Sequence, residues 1–247
     1  MIDLSSFESD MRIAIIGASG GLGAALMDQL IDHPYVAQIF ALSRSGRSHP
    51  SPKVFNLTFD FTDEGSIMAA VEVMREAGRF DLILISTGLL HGEGITPEKN
   101  LRALSYEGFE KSFLINTIGP AMCAKHMLPL LAPQRKTVFA ALSARVGSIS
   151  DNRLGGWYAY RASKAALNMV IKTLAIEHGR RFSHSVIIGL HPGTVDTELS
   201  KPFQSHVPKG KLFTPEQSAI YLFKVVNDVT PEQSGGVFDW DGKDVPA

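Results

Sequence analysis

Seven short apolar runs rich in β-branched and aliphatic residues alternate with longer segments whose apolar positions recur at helical spacing. The runs are residues 12–16 (RIAII), 37–42 (AQIFAL), 53–59 (KVFNLTF), 81–85 (DLILI), 137–142 (TVFAAL), 185–190 (SVIIGL) and 236–240 (GVFDW). Helices are expected near 22–32, 64–77, 107–131, 157–179 and 215–227. Most runs are apolar on both faces, which suits a parallel sheet covered by helices on each side. The pattern therefore predicts an α/β fold with a doubly wound parallel sheet. No internal repeat, low-complexity tract or Pro/Gly-rich linker divides the chain, and 247 residues with 45% apolar side chains suffice for one large core. One domain over residues 11–247 is expected, preceded by a loose lead-in over 1–10 (MIDLSSFESD), which shows no periodicity.

Composition narrows the partners. A net charge of -1 and the absence of a long basic run leave no electrostatic footprint for nucleic acid or an anionic membrane. A small, near-neutral partner is expected instead. The single Cys123 excludes an internal disulfide framework, and no Cys/His grouping has zinc spacing, so neither a secreted scaffold nor a metal site is expected. The acidic start lacks the basic and apolar regions of a signal peptide, and no apolar run reaches membrane-spanning length. The expectation is a cytoplasmic protein.

In a doubly wound sheet, ligands sit beyond the carboxyl ends of the strands, so the loops that follow the strands should hold the chemistry. The first run leads into GASGGLG (17–23), and Gly17, Gly21 and Gly23 give the spacing G-x-x-x-G-x-G, with Ser19, Gly20 and Leu22 between them. Glycines let the backbone turn tightly and approach a pyrophosphate, which is favoured by the free N–H groups and dipole of a helix N-terminus. Taken alone, this cluster also fits a purely structural turn. After the second run, Ser43 and Arg44 stand where a carboxylate would bond the ribose 2'-hydroxyl of NAD. No acidic residue lies between Asp32 and Asp60, whereas Arg44, Arg47 and Lys53 do. That balance favours NADP(H) over NAD(H).

The stretch WYAYRASK (157–164) carries the candidate chemistry. Tyr160 and Lys164 are i and i+4 and share a helix face, whereas Tyr158 points elsewhere. A phenol titrates near 10, and bringing it to between 7 and 8 takes about 3–4 kcal/mol, within reach of one close ammonium charge.

With GASGGLG, the Asn of FLINTIGP, YRASK and HPGTVDTEL together, the chain resembles the short-chain dehydrogenase/reductase family over almost its whole length from Met11. The resemblance implies a Rossmann-type sheet of seven strands in the order 3-2-1-4-5-6-7, with a nicotinamide dinucleotide across its carboxyl edge. It implies that Tyr160 is the general acid or base, that Lys164 lowers its pKa and binds the nicotinamide ribose, and that Asn116 holds a water in a proton relay. Asp60, with Phe61 beside it, would meet the adenine. Ser86, Thr87 and Gly88 replace the usual N-A-G, and Pro192, Gly193, Val195 and Thr197 match the loop over the nicotinamide.

The family usually carries two adjacent serines before x-x-G, the second orienting the substrate carbonyl. Here ALSARVGS puts Ser143 in the first place and Ala144 in the second, which leaves Ser143 and Ser148 as alternatives for the catalytic serine. GSISDN, GGWYAYRASKAALN and GGVFDWDGKDVP look most like the C-factor-type and sniffer-type carbonyl reductases. The expected activity is NADPH-dependent reduction of a ketone or aldehyde, formally reversible to oxidation of an alcohol. The alternative is an NADPH-binding regulator without turnover. Leu89, Leu90, Trp157, Tyr158 and Phe203 are candidate pocket residues for an apolar or aromatic substrate, and 200–217 is a candidate lid. Family helices at 107–131 and 157–179 imply a homodimer or homotetramer.

Overall fold

The computed structural model describes residues 1–46, 49–92 and 94–247. In chain order the elements are β1 (Met11–Ile16), α1 (Gly21–Ile31), β2 (Val36–Ser43), β3 (Val54–Thr58), α2 (Glu64–Ala77), β4 (Leu82–Ile85), α3 (Tyr106–Phe113) and α4 (Gly119–Met127). They continue with β5 (Thr137–Leu142), α5 (Tyr158–Gly179), β6 (Ser185–His191), β7 (Thr194–Val195), β8 (Leu212–Phe213), α6 (Pro215–Asp228) and β9 (Val237–Asp239). Seven strands form one sheet in the order β3-β2-β1-β4-β5-β6-β9, all neighbours parallel. This is the expected order; β9 is the seventh strand because β7 and β8 pair only with each other.

Period-two alternation explains how the sheet builds two cores. In β1, Ile13 and Ile15 pack with Leu26 and Leu30 of α1 and Leu222 and Phe223 of α6, whereas Ala14 and Ile16 face Ile67 and Met74 of α2 and Cys123 and Met127 of α4. Local signals start the helices. Asp63 accepts from the Gly65 N–H to cap α2, Ser105 accepts from Gly108 to cap α3, and Thr214 and Gln217 form a capping box ahead of α6.

Two expectations need correction. Residues 1–10 contain no helix or strand, but they are not loose: Ile2, Leu4 and Phe7 are buried in the α1/α6 core. Asn227 accepts from the Ser6 N–H at 3.0 Å, and Lys136 Nζ lies 5.0 Å from the Phe7 ring centroid. Three apolar side chains without a period were enough to anchor the strap. The helix expected over 107–131 is interrupted by a π-helical turn at Leu114–Ile118, where the Gly119 N–H bonds to the Leu114 carbonyl. Pro120, four residues after Asn116, has no N–H to give the Asn116 carbonyl, so regular α-helical bonding stops there. Among the described residues no helix is long and apolar enough to cross a membrane.

Candidate active site

The carboxyl edge of the sheet gathers the glycine loop, the ends of β2, β4, β5 and β6, and the first turns of α5. Gly17 has φ +89°, and a Cβ there would lie 2.7 Å from Thr87 Cγ2. At Gly23 a Cβ would come 2.1 Å from the Gly17 carbonyl oxygen, so only glycine lets α1 start against its own loop. Ser19, Gly20 and Gly21 are exposed and form the open side of the cradle, whereas the Leu22 side chain is buried in the core. The N-cap of α1, Gly20, supplies no side-chain acceptor, and the first turn holds no acidic residue. That helix end suits an anionic group. Beside it, Thr87 Oγ1 is buried without a hydrogen-bond partner among the described residues. An orphaned hydroxyl next to a glycine cradle fits a polar dinucleotide at this edge.

Ser86, which replaces the usual asparagine, donates from Oγ to the Ile16 carbonyl at 2.8 Å, and its N–H bonds the same oxygen. The backbone link between β4 and β1 is thus kept. The loop after β6 reaches over the cradle: Thr197 Cγ2 lies 2.9 Å from where a Cβ on Gly21 would be, and Gly193 takes φ +77°. Pro192 accepts from Ser218 Oγ at 2.9 Å, and Val195 is buried in the core.

At the far end of the cradle, Ser43 is buried, and the exposed Arg44 follows it. Asp60 accepts from the N–H and hydroxyl of Thr62, bonds that hold its carboxyl below the usual carboxylate range, with a smaller contribution from the nearby charge of Arg44. Phe61 packs its ring edge-on to Phe59 in the core. Lys53 precedes β3 at the opposite edge of the sheet and donates to the His33 carbonyl at 3.2 Å, which removes it from the set of 2'-phosphate partners. Arg47 lies outside the described residues.

Tyr160 and Lys164 occupy the first two turns of α5 and are both buried. Lys164 Nζ donates to the Leu142 carbonyl at 2.7 Å and sits 5.8 Å from the Tyr160 ring centroid. Asn116 pairs twice with Leu89, accepting from its N–H and donating to its carbonyl, both at 2.8 Å. A third bond runs from Asn116 Nδ2 to Ser163 Oγ at 3.1 Å. A Cβ on Gly88 would stand 3.7 Å from both Asn116 Oδ1 and Lys164 Nζ, so these groups converge on one point. Burial dominates the titration: it pushes Tyr160 up to about 12 and Lys164 down to about 7. The lowered phenol pKa expected from the i, i+4 spacing is not what this geometry gives, because burial of the phenol raises it.

The two candidate serines take different partners. Ser143 Oγ donates to Asn168 Oδ1 at 2.6 Å, and the residue that packs with Tyr160 is Ala144. Ser148 accepts from the Asp151 N–H at 3.1 Å and lies 3.4 Å from the Ala247 carbonyl oxygen, in the loop after the strand. Asn168 follows Lys164 by one turn, and that spacing was the available signal for it.

Leu90, Ala144 and Tyr160 form a small apolar cluster, with Val146, Trp157, Leu199 and Phe203 packed against it. Trp157 lies with its ring centroid 6.3 Å from that of Tyr160 and 5.0 Å from that of Phe203. Tyr158 is partly exposed and is not in the cluster, and Leu89 contributes the backbone pair with Asn116. In the segment 200–217, Lys201–His206 forms a 3-10 helix that brings Phe203 over the cluster, and Phe213 of β8 is buried. His91 contacts the Glu198 carbonyl and the edge of Phe203, while burial pushes His191 down to about 4 and the Cys123 thiol up. His191 is therefore neutral, and Cys123 is an unreactive core residue.

A family model described as short chain dehydrogenase matches residues 11–208. Among curated relatives, 1-hydroxy-2-glutathionyl-2-methyl-3-butene dehydrogenase of Rhodococcus sp. (strain AD45) is 30% identical over 237 residues, spanning 93% of this chain and 96% of that protein. C-signal of Myxococcus xanthus is 35% identical over 143 residues, spanning 58% of this chain and 81% of that protein. Among solved structures, an NADPH-bound carbonyl reductase from chicken fatty liver superposes with a TM-score of 0.84 at 22% identity, covering 98% of this chain and 97% of that one. The carbonyl reductase Sniffer of D. melanogaster gives 0.82 at 22% identity, covering 97% and 100%. At such identities the two structures establish the likeness of fold.

Proposed function

The chain belongs to the short chain dehydrogenase family, and from that premise we propose that it is an NADPH-dependent carbonyl reductase in which Tyr160 donates the proton. The observation that carries this reading is the convergence of Tyr160, Lys164, Asn116 and Gly88 at the carboxyl edge of the sheet, beside an apolar wall. Gly17, Ser19, Gly20, Gly21, Leu22, Gly23, Ser43, Arg44, Asp60, Phe61, Ser86, Thr87, Gly88, Tyr160, Lys164, Pro192, Gly193, Val195 and Thr197 would hold the dinucleotide, with Leu22, Phe61 and Val195 contributing backbone. When bound, that cofactor supplies the hydride that reaches the carbonyl carbon.

The remaining chemistry belongs to the chain. Tyr160 Oη gives its proton to the carbonyl oxygen as charge develops there. Burial keeps the Tyr160 phenol in its protonated form at neutral pH, so the proton it would give is in place. Lys164, tied to the Leu142 carbonyl, places a cation beside the ring when protonated and fixes the height of α5 against β5. Asn116 holds the Leu89 turn, and the carbonyl it leaves without an N–H from Pro120 is our candidate for a relay water. Leu90, Trp157 and Phe203 exclude water and favour an apolar or aromatic ketone or aldehyde.

Ala144 supports a second reading, an NADPH-binding regulator without turnover, because the residue beside Tyr160 lacks the hydroxyl that would orient a carbonyl. Following NADPH absorbance against aliphatic and aromatic aldehydes, ketones and quinones, and NADP reduction against secondary alcohols, separates the two. Turnover that disappears in Tyr160→Phe supports the reductase; tight NADPH binding with no turnover across the panel supports the regulator. We also propose a cytoplasmic homodimer or homotetramer, on the strength of the single buried thiol and the family's usual association through the α3/α4 and α5 helices. Light scattering that finds only monomer would remove the oligomer.

A further inference from the structure

Three consecutive residues at the start of the catalytic helix are left-handed: Gly155 (φ +63°), Gly156 (φ +67°) and Trp157 (φ +51°). Glycine adopts this conformation at no cost, but a bulky aromatic residue does so only when its surroundings hold it there. Trp157 is the N-cap of α5 and its indole supplies no acceptor for the first-turn N–H groups.

The missing acceptor comes from 61 residues earlier. Glu98 Oε2 accepts from the Ala159 N–H at 3.3 Å, and the Glu98 carbonyl accepts from the Trp157 N–H at 2.6 Å. The residue is 6% exposed, so its carboxylate is taken out of water to make these contacts. It also reaches the start of a second helix: Oε1 lies 3.6 Å from where a Cβ on Gly108 of α3 would be. From the other side, Arg161 donates to the Gly156 carbonyl at 3.0 Å and to the Val146 carbonyl at 3.1 Å. The turn so held aims the Trp157 indole at the Tyr160 and Phe203 rings.

We propose that Glu98 is a positioning residue for the reaction: it caps α5 from outside the helix, holds the left-handed turn at Trp157, and thereby sets the aromatic wall beside Tyr160. The proposal rests on the reading of Tyr160 as proton donor, but its test does not depend on that reading alone. The chain has two tryptophans, so Trp240→Phe leaves Trp157 as the sole tryptophan, read by excitation at the red edge where tyrosine does not absorb. In that background, Glu98→Ala is expected to shift Trp157 emission to the red and raise its acrylamide quenching constant about threefold, since the indole gains solvent. Its kcat should fall about tenfold with NADPH affinity by calorimetry within about twofold, because small displacements near reacting groups cost rate more than binding. Glu98→Gln keeps an acceptor oxygen and should return emission and the quenching constant to about parent values and kcat to within about threefold of the parent. Should Glu98→Ala fail to fold by circular dichroism, Glu98→Asp takes its place with the same expectations, its carboxylate being about one methylene short.

Emission, quenching and kcat all at parent values in the folded Ala or Asp variant would overturn the proposal. So would equal loss of activity in the Ala and Gln variants with Trp157 emission unmoved. If the parent itself turns nothing over, the fluorescence readouts still decide whether Glu98 holds Trp157, and the reductase reading fails separately.

Discussion

The hydroxyl of Ser143 is bonded to Asn168 Oδ1 at 2.6 Å, one turn beyond Lys164 on α5, and the neighbouring Ala144 packs with Tyr160. The motif position that would supply a second hydroxyl carries a methyl group, and the serine beside it is hydrogen-bonded to α5.

Ser143→Ala should therefore act on stability. Losing one neutral hydrogen bond costs about 1 kcal/mol, or about 2–4 °C in Tm for a chain of this size. Its kcat should stay within about threefold, as should that of Ser148→Ala, whereas Ala144→Ser should change kcat more than either. Steady-state kinetics and melting curves on the three variants check this. Turnover lost only in Ser143→Ala would return that serine to the reaction.

Tyr160→Phe removes the phenolic proton and leaves the ring. Turnover should fall by about 10²–10⁴-fold, the range usual for a positioned acid, with NADPH affinity nearly unchanged. Residual activity above about a tenth of the parent's would mean another group gives the proton.

The exposed Arg44 beside Asp60 is expected to meet a 2'-phosphate. A charge-assisted contact of this kind is worth about 1.5–3 kcal/mol, so NADPH should bind about 10–100-fold more tightly than NADH. Arg44→Asp should reverse the ratio. Equal dissociation constants for the parent would leave the preference to other residues.

Burial holds Lys164 near 7 in the folded chain, against 10.5 in the unfolded one. Between those values the unfolded state binds the extra proton, so stability rises with pH across the window and is lowest below it. One proton over 1.5 pH units is about 2 kcal/mol, so Tm should rise about 4–8 °C from pH 7.5 to 9, and Lys164→Met should flatten that rise. A flat parent profile would mean Lys164 stays charged in the fold.

Leu4 and Phe7 sit in the α1/α6 core, away from the carboxyl edge. Truncating either to alanine should cost about 2–5 kcal/mol and lower Tm by about 5–15 °C, with kcat unaffected in the protein that remains folded. A Tm within about 2 °C of the parent would show the strap to be dispensable.

Strand and helix order was readable along the chain because each strand is a short apolar run and each helix a periodic one, patterns that follow from local geometry alone. Gly17, Gly23 and the Tyr160/Lys164 pair were readable for the same reason: a tight turn and a shared helix face are properties of a few neighbouring residues. What lay beyond the sequence were relations between distant segments. Whether Ser143 or Ala144 faces Tyr160 depends on how β5 is rotated against α5, a choice made by packing and by Asn168. The strap at 2–7 has no period, so its anchoring depends on a groove that exists only once α6 lies beside α1. The phenol's titration depends on burial, and the cap of α5 is supplied by Glu98, far away in sequence. Side-chain period is fixed by the backbone of one element, but the direction of a hydroxyl, the desolvation of a charge and a cap from another loop arise only when elements meet.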